Sequence, residues 1–249
     1  MQAHWLSRKG RQRQGNCDAG ALALKDYQVC AIIVDAAEHH GTRPGEFANH
    51  WAQQVIQFLS VTAGPVQPQQ ACAILREAQR QLRDQYLLEI GSYCLVMLNA
   101  QQRTGVLLHT GDCIAAVALH DHMRWLVKPH TLPGQGWVID QAERHRLTRS
   151  LNARRFSKPG VCQFDLPQGA SLHLCTDGYW AEHLQEKIPL HLLQDDASNL
   201  RLEIDANQPD RLTLESDIDN FYVDANLRHL STRQHHYPAK TLGTVSDNA

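Results

Sequence analysis

The apolar, β-branched run Val29-Cys30-Ala31-Ile32-Ile33-Val34 stops abruptly at a carboxylate, Asp35. A charge at the end of a buried strand is held by the rigid backbone behind it and still reaches solvent. Three further stretches set an aspartate at or beside an apolar run. They are Thr110-Gly111-Asp112, Leu172-His173-Leu174-Cys175-Thr176-Asp177-Gly178, and Asp217-Ile218-Asp219-Asn220 before Phe221-Tyr222-Val223. Any one of these aspartates has an ordinary explanation as an Asx turn or a helix cap. Taken together they point to carboxylates that converge, and converging carboxylates repel unless cations lie between them. Hard oxygen ligands with retained waters suit Mg²⁺ or Mn²⁺. Two such ions about 4 Å apart lower the pKa of a bound water and clamp a phosphoryl group for in-line attack. Residue types and spacing carry the reading as far as a candidate carboxylate metal site.

The elements that must position these groups are legible in the same way. Ala21–Leu24 and Tyr27–Val34 flank Lys25-Asp26 as a hairpin. Pro44-Gly45-Glu46 opens a helix in which Phe47, Trp51, Val55, Ile56 and Leu59 recur at helical spacing, so these are core residues; Gly64-Pro65 ends it. A second amphipathic helix carries Ala71, Ile74, Leu75, Ala78, Leu82 and Tyr86 on one stripe. Ser92–Leu98, Gly105–Thr110 and Cys113–Leu119 form a meander, and its short connections require antiparallel pairing. A helix-like segment is expected over Gln141–Leu151, a strand over Ala170–Cys175, a short helix around Leu190 and a last strand over Phe221–Leu227. With no internal repeat or linker, one domain is expected over 1–230. A polar tail without periodicity, expected to be disordered, follows over 231–249.

Composition narrows the class. The chain has 249 residues and a net charge of -2, so no global field draws it to nucleic acid or to anionic lipid. The basic run Arg8-Lys9-Gly10-Arg11-Gln12-Arg13 is too short to read as a nucleic-acid arm. Seven cysteines, most of them inside apolar runs and without a Cys-x-x-Cys pair, suggest reduced thiols in a cytoplasmic protein. No apolar run approaches the roughly 20 residues that span a bilayer, and the N-terminus lacks the apolar segment of a secretory signal.

In their order and wording these motifs resemble the metal-dependent type 2C family of serine/threonine protein phosphatases, in its short bacterial form. Arg13-x-x-Asn16-Cys17-Asp18 is similar to the family's Arg-x-x-Asn-Glu-Asp. Val34-Asp35-Ala36 with Gly45-Glu46-Phe47-Ala48 resembles its Asp-Gly signature and the helix that follows. Gly91-Ser92, Gly111-Asp112-Cys113, Arg146-Leu147-Thr148-Arg149-Ser150-Leu151, Cys175-Thr176-Asp177-Gly178 and Asp219-Asn220 complete the series. The fold implied is α+β, a four-layer α-β-β-α sandwich of two antiparallel sheets flanked by helix pairs. The resemblance implies two Mn²⁺ or Mg²⁺ ions. Asp35 would bridge them, and the Ala36 carbonyl would help to hold the second. Asp177 and Asp219 would hold the first, and Asp18 would order metal-bound waters. Arg13 would grip the substrate phosphate, because a guanidinium fork matches phosphate oxygens. The substrate implied is a protein phosphorylated on serine or threonine, with a cognate kinase as the opposing partner.

The chain departs from this family at informative places. Its Asp-Gly-x-Gly-Gly becomes Asp35-Ala36-Ala37-Glu38-His39, and the glutamate after Asn16 becomes Cys17, a poor ligand for Mg²⁺. An accessory metal site of the family uses the carboxylate matched by Asp112 and a second one four residues after the position of Asp177. That second position is Ala181, followed by Glu182. His39 and His40 lie beside the expected site, where an imidazole could supply a proton to the leaving alkoxide. These departures leave an alternative in view: a binding or regulatory module that keeps the fold with weakened catalysis.

Overall fold

The computed structural model describes residues 1–38, 41–137, 146–205, 207–224, 227 and 231–234. His39 and His40, residues 141–145 of the expected helix and the tail beyond Gln234 fall outside these residues. The rest of that expected helix, 146–151, is not helical: Leu147 bridges Thr131 and Thr148 N–H donates to the His130 carbonyl, so its backbone bonds go to a neighbouring segment rather than to its own turns.

The chain opens with β1 (Gln2–Arg8), followed by a hairpin of β2 (Asp18–Lys25) and β3 (Gln28–Ala36). Asp26 takes the left-handed conformation, φ 53°, in the two-residue turn between Lys25 and Gln28, which are paired; this is the backbone that short hairpins require. Helix α1 (Pro44–Val61) has its proline in the first turn, where the missing N–H costs nothing. Helix α2 (Pro68–Gln81) begins with a capping box between Gln67 and Gln70. The meander follows as β4 (Ile90–Asn99), β5 (Thr104–Thr110), β6 (Ile114–Leu119) and β7 (His122–Trp125). The remaining strands are β8 (Leu151–Asn152), β9 (Gly160–Asp165), β10 (Ser171–Cys175), β11 (Ala197–Glu203), β12 (Arg211–Ser216), β13 (Phe221–Val223) and β14 (Ser231–Gln234).

Two sheets face one another. One has the order β14-β12-β1-β11-β10-β6-β7, the other β13-β2-β3-β4-β5-β9, with β8 beside β4. Trp5, Leu22, Ile33, Val96, Leu172 and Leu200 fill the space between them. Ile32, Val34, Phe47, Trp51, Ile56 and Leu75 fill a second core between the β3-containing sheet and α1 and α2. Alternate residues of β3 thus enter different cores, which is why this strand reads as one unbroken apolar run.

The expected α+β sandwich of two packed sheets is present, and it differs from expectation in detail. The sheets are mixed, because β12 runs parallel to β1, β14 parallel to β12 and β13 parallel to β2. The pairings of β12 with β1 and of β13 with β2 join opposite ends of the chain, which connection length does not constrain, and the connection from β12 to β14 is long enough for a crossover. Among the described residues a helix pair covers only one sheet. The outer face of the other presents His4, Arg201, Glu203, Thr213 and Glu215, residues suited to water on that side. Finally, Ser231–Gln234, expected in a disordered tail, extends the sheet edge as β14; the last expected strand is shorter than anticipated, ending at Val223.

Candidate functional site

Antiparallel pairing carries several strand ends to one edge of the sandwich. Asp18 opens β2 and pairs directly with Asp35 at the end of β3, and Asp35 in turn pairs with Ser92 on β4. Asp112 lies in the turn between β5 and β6. Asp177 follows β10, and because β11 runs antiparallel to β10, the residues just before β11, Asp195 and Asp196, come to the same edge. A cavity of about 470 Å³ opens there, lined by Arg13, Asp35, Asp112, Asp177, Glu182 and Asp195 among others. A second cavity of about 470 Å³ lies beneath the loop between α1 and α2; Asp165 is its only charged lining residue, so it lacks a comparable set of reactive groups.

Two glycines allow the strands to approach this closely. A Cβ on Gly91, opposite Ala36, would stand 2.6 Å from the Asp35 carbonyl oxygen. Gly111 has φ +90°, and a Cβ there would collide with Ser92. Ser92 Oγ donates to Asp112 Oδ1 at 2.6 Å and accepts from the Asp112 N–H at 3.2 Å, so the turn is tied to β4.

The electrostatics of the edge are one-sided. Like charges directly opposite on paired strands oppose pairing, and Asp18 and Asp35 are placed that way. Burial first, and then Asp18, Asp177 and Asp112, raise the Asp35 carboxyl well above the usual carboxylate range. Burial and then Asp196 do the same to Asp18. Asp18 is fully buried; Thr176 Oγ1 donates to its Oδ2 at 3.0 Å, while its Oδ1 is buried and meets no hydrogen-bond donor. Asp196 is pushed up to about 6, chiefly by burial, although its carboxylate accepts the N–H groups of Cys17 at 2.7 Å and Gly10 at 2.9 Å. The Arg13 guanidinium grips Asp195 in bidentate fashion, with Nε to Oδ1 and a terminal nitrogen to Oδ2 both at 2.6 Å.

The structure brings together Arg13, Asp18, Asp35, Ala36, Asp112 and Asp177 of the expected site residues. It does not bring Asp219. That side chain is exposed in the turn between β12 and β13, and its neighbour Asn220 is a buried structural hub. Asn220 accepts from the Trp5 indole at 3.0 Å and donates to Ser7 Oγ at 2.8 Å and to the Asp18 carbonyl at 3.0 Å. The acid that occupies the pocket instead is Asp195, at the N-terminal end of a strand rather than its C-terminal end. The same signal, a carboxylate where an apolar strand leaves the core, was present in Asp195-Asp196 before Ala197–Leu202. Glu182 was also missed as a lining residue. It follows Asp177 by five positions, and the segment Gly178–Gln185 is π-helical, so residues five apart lie one turn apart.

Among the described residues no three His, Cys, Asp or Glu side chains close on a single ion as they stand. Several of the carboxylates are turned to protein donors instead: Asp195 to Arg13, Asp112 to Ser92, Asp18 to Thr176. The donor chemistry nevertheless suits hard divalent cations. It consists of carboxylate oxygens, one of them buried without a donor, in an excess of negative charge. Cys17 does not join this set, since burial above all, with Asp196 and Glu38, raises its thiol to about 12 and keeps it protonated.

No protein-family model matches the sequence, and none of the curated proteins is similar to it. Solved structures are similar in fold. The serine/threonine phosphatase Stp1 from Staphylococcus aureus superposes with a TM-score of 0.69 at 15% identity, over 82% of this chain and 95% of that one. The PPM Ser-Thr phosphatase MsPP from Mycobacterium smegmatis, in complex with cacodylate, gives 0.64 at 17% identity over 82% and 98%. The catalytic domain of the phosphatase PstP, in complex with two manganese ions, gives 0.60 at 18% identity over 80% and 96%. From β1 through the acidic edge, this chain has the fold of the PPM-type serine/threonine phosphatases, the type 2C family that its motifs resemble.

Proposed function

We propose that the chain is a metal-dependent phosphomonoesterase acting on phosphoserine or phosphothreonine in proteins. The observation that carries this reading is the cross-strand pair Asp18 and Asp35, set at one edge with Asp112, Asp177 and Asp195. Folding places like charges opposite one another there, an arrangement that is unfavourable without cations. Asp35, the Ala36 carbonyl, Asp177 and Asp195 are the groups that would hold two Mn²⁺ or Mg²⁺ ions. When bound, such ions supply a water acidic enough to attack phosphorus at neutral pH.

The remaining work falls to the chain itself. Asp18, the cross-strand partner of Asp35, keeps one buried carboxylate oxygen without a protein donor, and this oxygen would order water bound to the ions. Arg13, at the pocket wall, is the group that would pair with the non-bridging oxygens of the phosphate; its fork is held by Asp195, one of the carboxylates that would hold the ions. Ser92 and Gly111 hold the turn that aims Asp112 inward. Hydrolysis forms a bond from the water oxygen to phosphorus and breaks the bond from phosphorus to the side-chain oxygen, so no enzyme nucleophile is required. A bacterial signalling role opposite a serine/threonine kinase, in the cytoplasm, fits this chemistry. No helix among the described residues is long and apolar enough to cross a membrane.

The test is Mn²⁺-stimulated hydrolysis of a chromogenic aryl phosphate. Asp35→Asn and Asp177→Asn are each expected to abolish it, and activity that survives both substitutions would reject the site. Calorimetry addresses the alternative: a regulatory module would bind no Mn²⁺, whereas the enzyme binds two ions.

A further inference from the structure

We infer that Glu38, which stands where the family signature has a glycine, is the positioning residue for Arg13. Arg13 lies in the loop between β1 and β2, whose two ends are anchored by Asp196 through the Gly10 and Cys17 amides. Arg11 N–H and Gln12 N–H donate to the carbonyls of Leu193 and Gln194 at 2.9 and 3.1 Å, and Arg13 N–H donates to Gly10 at 3.2 Å. The next two amides are taken by one carboxylate oxygen. Glu38 Oε1 accepts from Gln14 N–H at 2.6 Å and from Gly15 N–H at 3.4 Å. Its other oxygen stands 3.8 Å from an Arg13 terminal nitrogen, and its side chain is about nine-tenths buried, with 10% exposed.

This geometry gives Glu38 a specific task. Gln14 and Gly15 are exposed, so without a fixed acceptor their amides turn to water; one oxygen anchored beside β3 holds both, and with them the loop, in a single arrangement. Glu38 sits three residues beyond Asp35, on the backbone that leaves β3. It therefore links the loop carrying the phosphate-gripping side chain to the strand carrying the central carboxylate. The guanidinium lies between Asp195 on one side and Glu38 on the other. When Asp195 is drawn to a cation, Glu38 keeps the loop in place and leaves the Arg13 fork pointing into the pocket. Glu182 treats the opposite loop in the same manner, accepting from Gln194 N–H at 2.8 Å and from Asp195 N–H at 3.5 Å. Buried glutamates thus clamp both loops that meet over the site.

This inference rests on the proposed phosphate site, and the experiment separates the two. Inorganic phosphate binding is measured by calorimetry in the full chain with saturating Mn²⁺, beside Mn²⁺ affinity and the KM and kcat for an aryl phosphate. Glu38→Ala is expected to weaken phosphate binding and raise KM by about tenfold, with Mn²⁺ affinity unchanged and kcat altered by no more than about twofold. Glu38→Gln keeps an acceptor at the same reach and is expected to restore most of the loss. Glu38→Asp is too short to reach the amides and is expected to behave like the alanine variant. If Glu38→Ala fails to fold, the Gln and Asp variants decide by themselves. Asp restoring binding where Gln does not would mean that charge rather than the clamp matters, and would overturn the inference. Unchanged phosphate affinity in the Ala or Asp variant would do the same. A wild-type protein that binds Mn²⁺ but no phosphate would instead overturn the phosphate site itself.

Discussion

Two charged regions of this molecule are built on opposite plans. On the outer face of β1, β11 and β12, charges of both signs alternate and pair. His4 Nε2 lies 3.1 Å and an Arg8 terminal nitrogen 3.8 Å from Glu215, and Arg201 pairs with Glu203. These groups are partly exposed, so water screens them and each pair contributes little. At the pocket edge, carboxylates of one sign meet in a partly buried site where Arg13 is the cation gripping Asp195. The first arrangement keeps a sheet face soluble at almost no cost. The second lowers the stability of the folded chain, and such a cost is characteristic of a site kept for binding or chemistry.

The sharpest way to break this comparison is to exchange the acid inside the pocket for the one outside it. Asp195→Asn is expected to lower Mn²⁺-dependent hydrolysis by on the order of a thousandfold, the scale of losing a principal electrostatic contact. Asp219→Asn, in an exposed turn, should leave it unchanged; steady-state kinetics on both variants makes the check. Equal losses would restore Asp219 to the site and remove Asp195.

The second expectation concerns pH. Asp196 is raised to about 6 in the folded chain, from about 4 in the unfolded one. Between those values the folded state holds a proton that the unfolded state has released, so the metal-free protein loses stability from this group as pH rises through about 6. The raised carboxyls of Asp18 and Asp35 act in the same direction. Histidines oppose them. His109 and His130, stacked 4.2 Å apart, are lowered by burial to about 3 and 4, and His173, also buried, is lowered to about 4. Their stabilising contribution is complete above about 6.5 and is lost as pH falls toward 4. Thermal unfolding of Asp196→Asn, compared with wild type across pH 4 to 8, isolates the acidic part: the variant gains most above pH 6. Mn²⁺ should reverse the ordering in wild type, adding about 2.7 kcal/mol at a hundred times its dissociation constant.

The smallest effect belongs to the outer face. Glu215→Gln removes the partner of His4 and Arg8 and is expected to change unfolding free energy by less than about 1 kcal/mol, as read by urea titration. A larger loss would mean that this face depends on its charges as much as the pocket does.

Local pattern made a good part of this molecule legible before its structure. The helical stripe from Phe47 to Leu59, the hairpin turn at Asp26 and the strand ending at Asp35 all depend on neighbours within a few residues, and each lies where its spacing placed it. The parallel pairings of β12, β13 and β14 join segments separated by up to about 200 residues, and no periodicity reports on such partners. The site divides along the same line. Asp18, Asp35, Asp112 and Asp177 stood out because each marks where an apolar run begins, turns or ends. Asp219 stood out for the same reason, yet it faces solvent.

What the sequence determined by itself was therefore a supply of carboxylates at strand ends, together with the two helices and the hairpin that bury the strands behind them. Which carboxylates meet was decided only by tertiary structure. The end of β10 reaches the start of β11 through antiparallel pairing, and that pairing places Asp195, rather than Asp219, in the pocket with Asp177. The reason is physical: a strand's own residues set where its charge leaves the core, but the sheet order sets which other charge stands beside it.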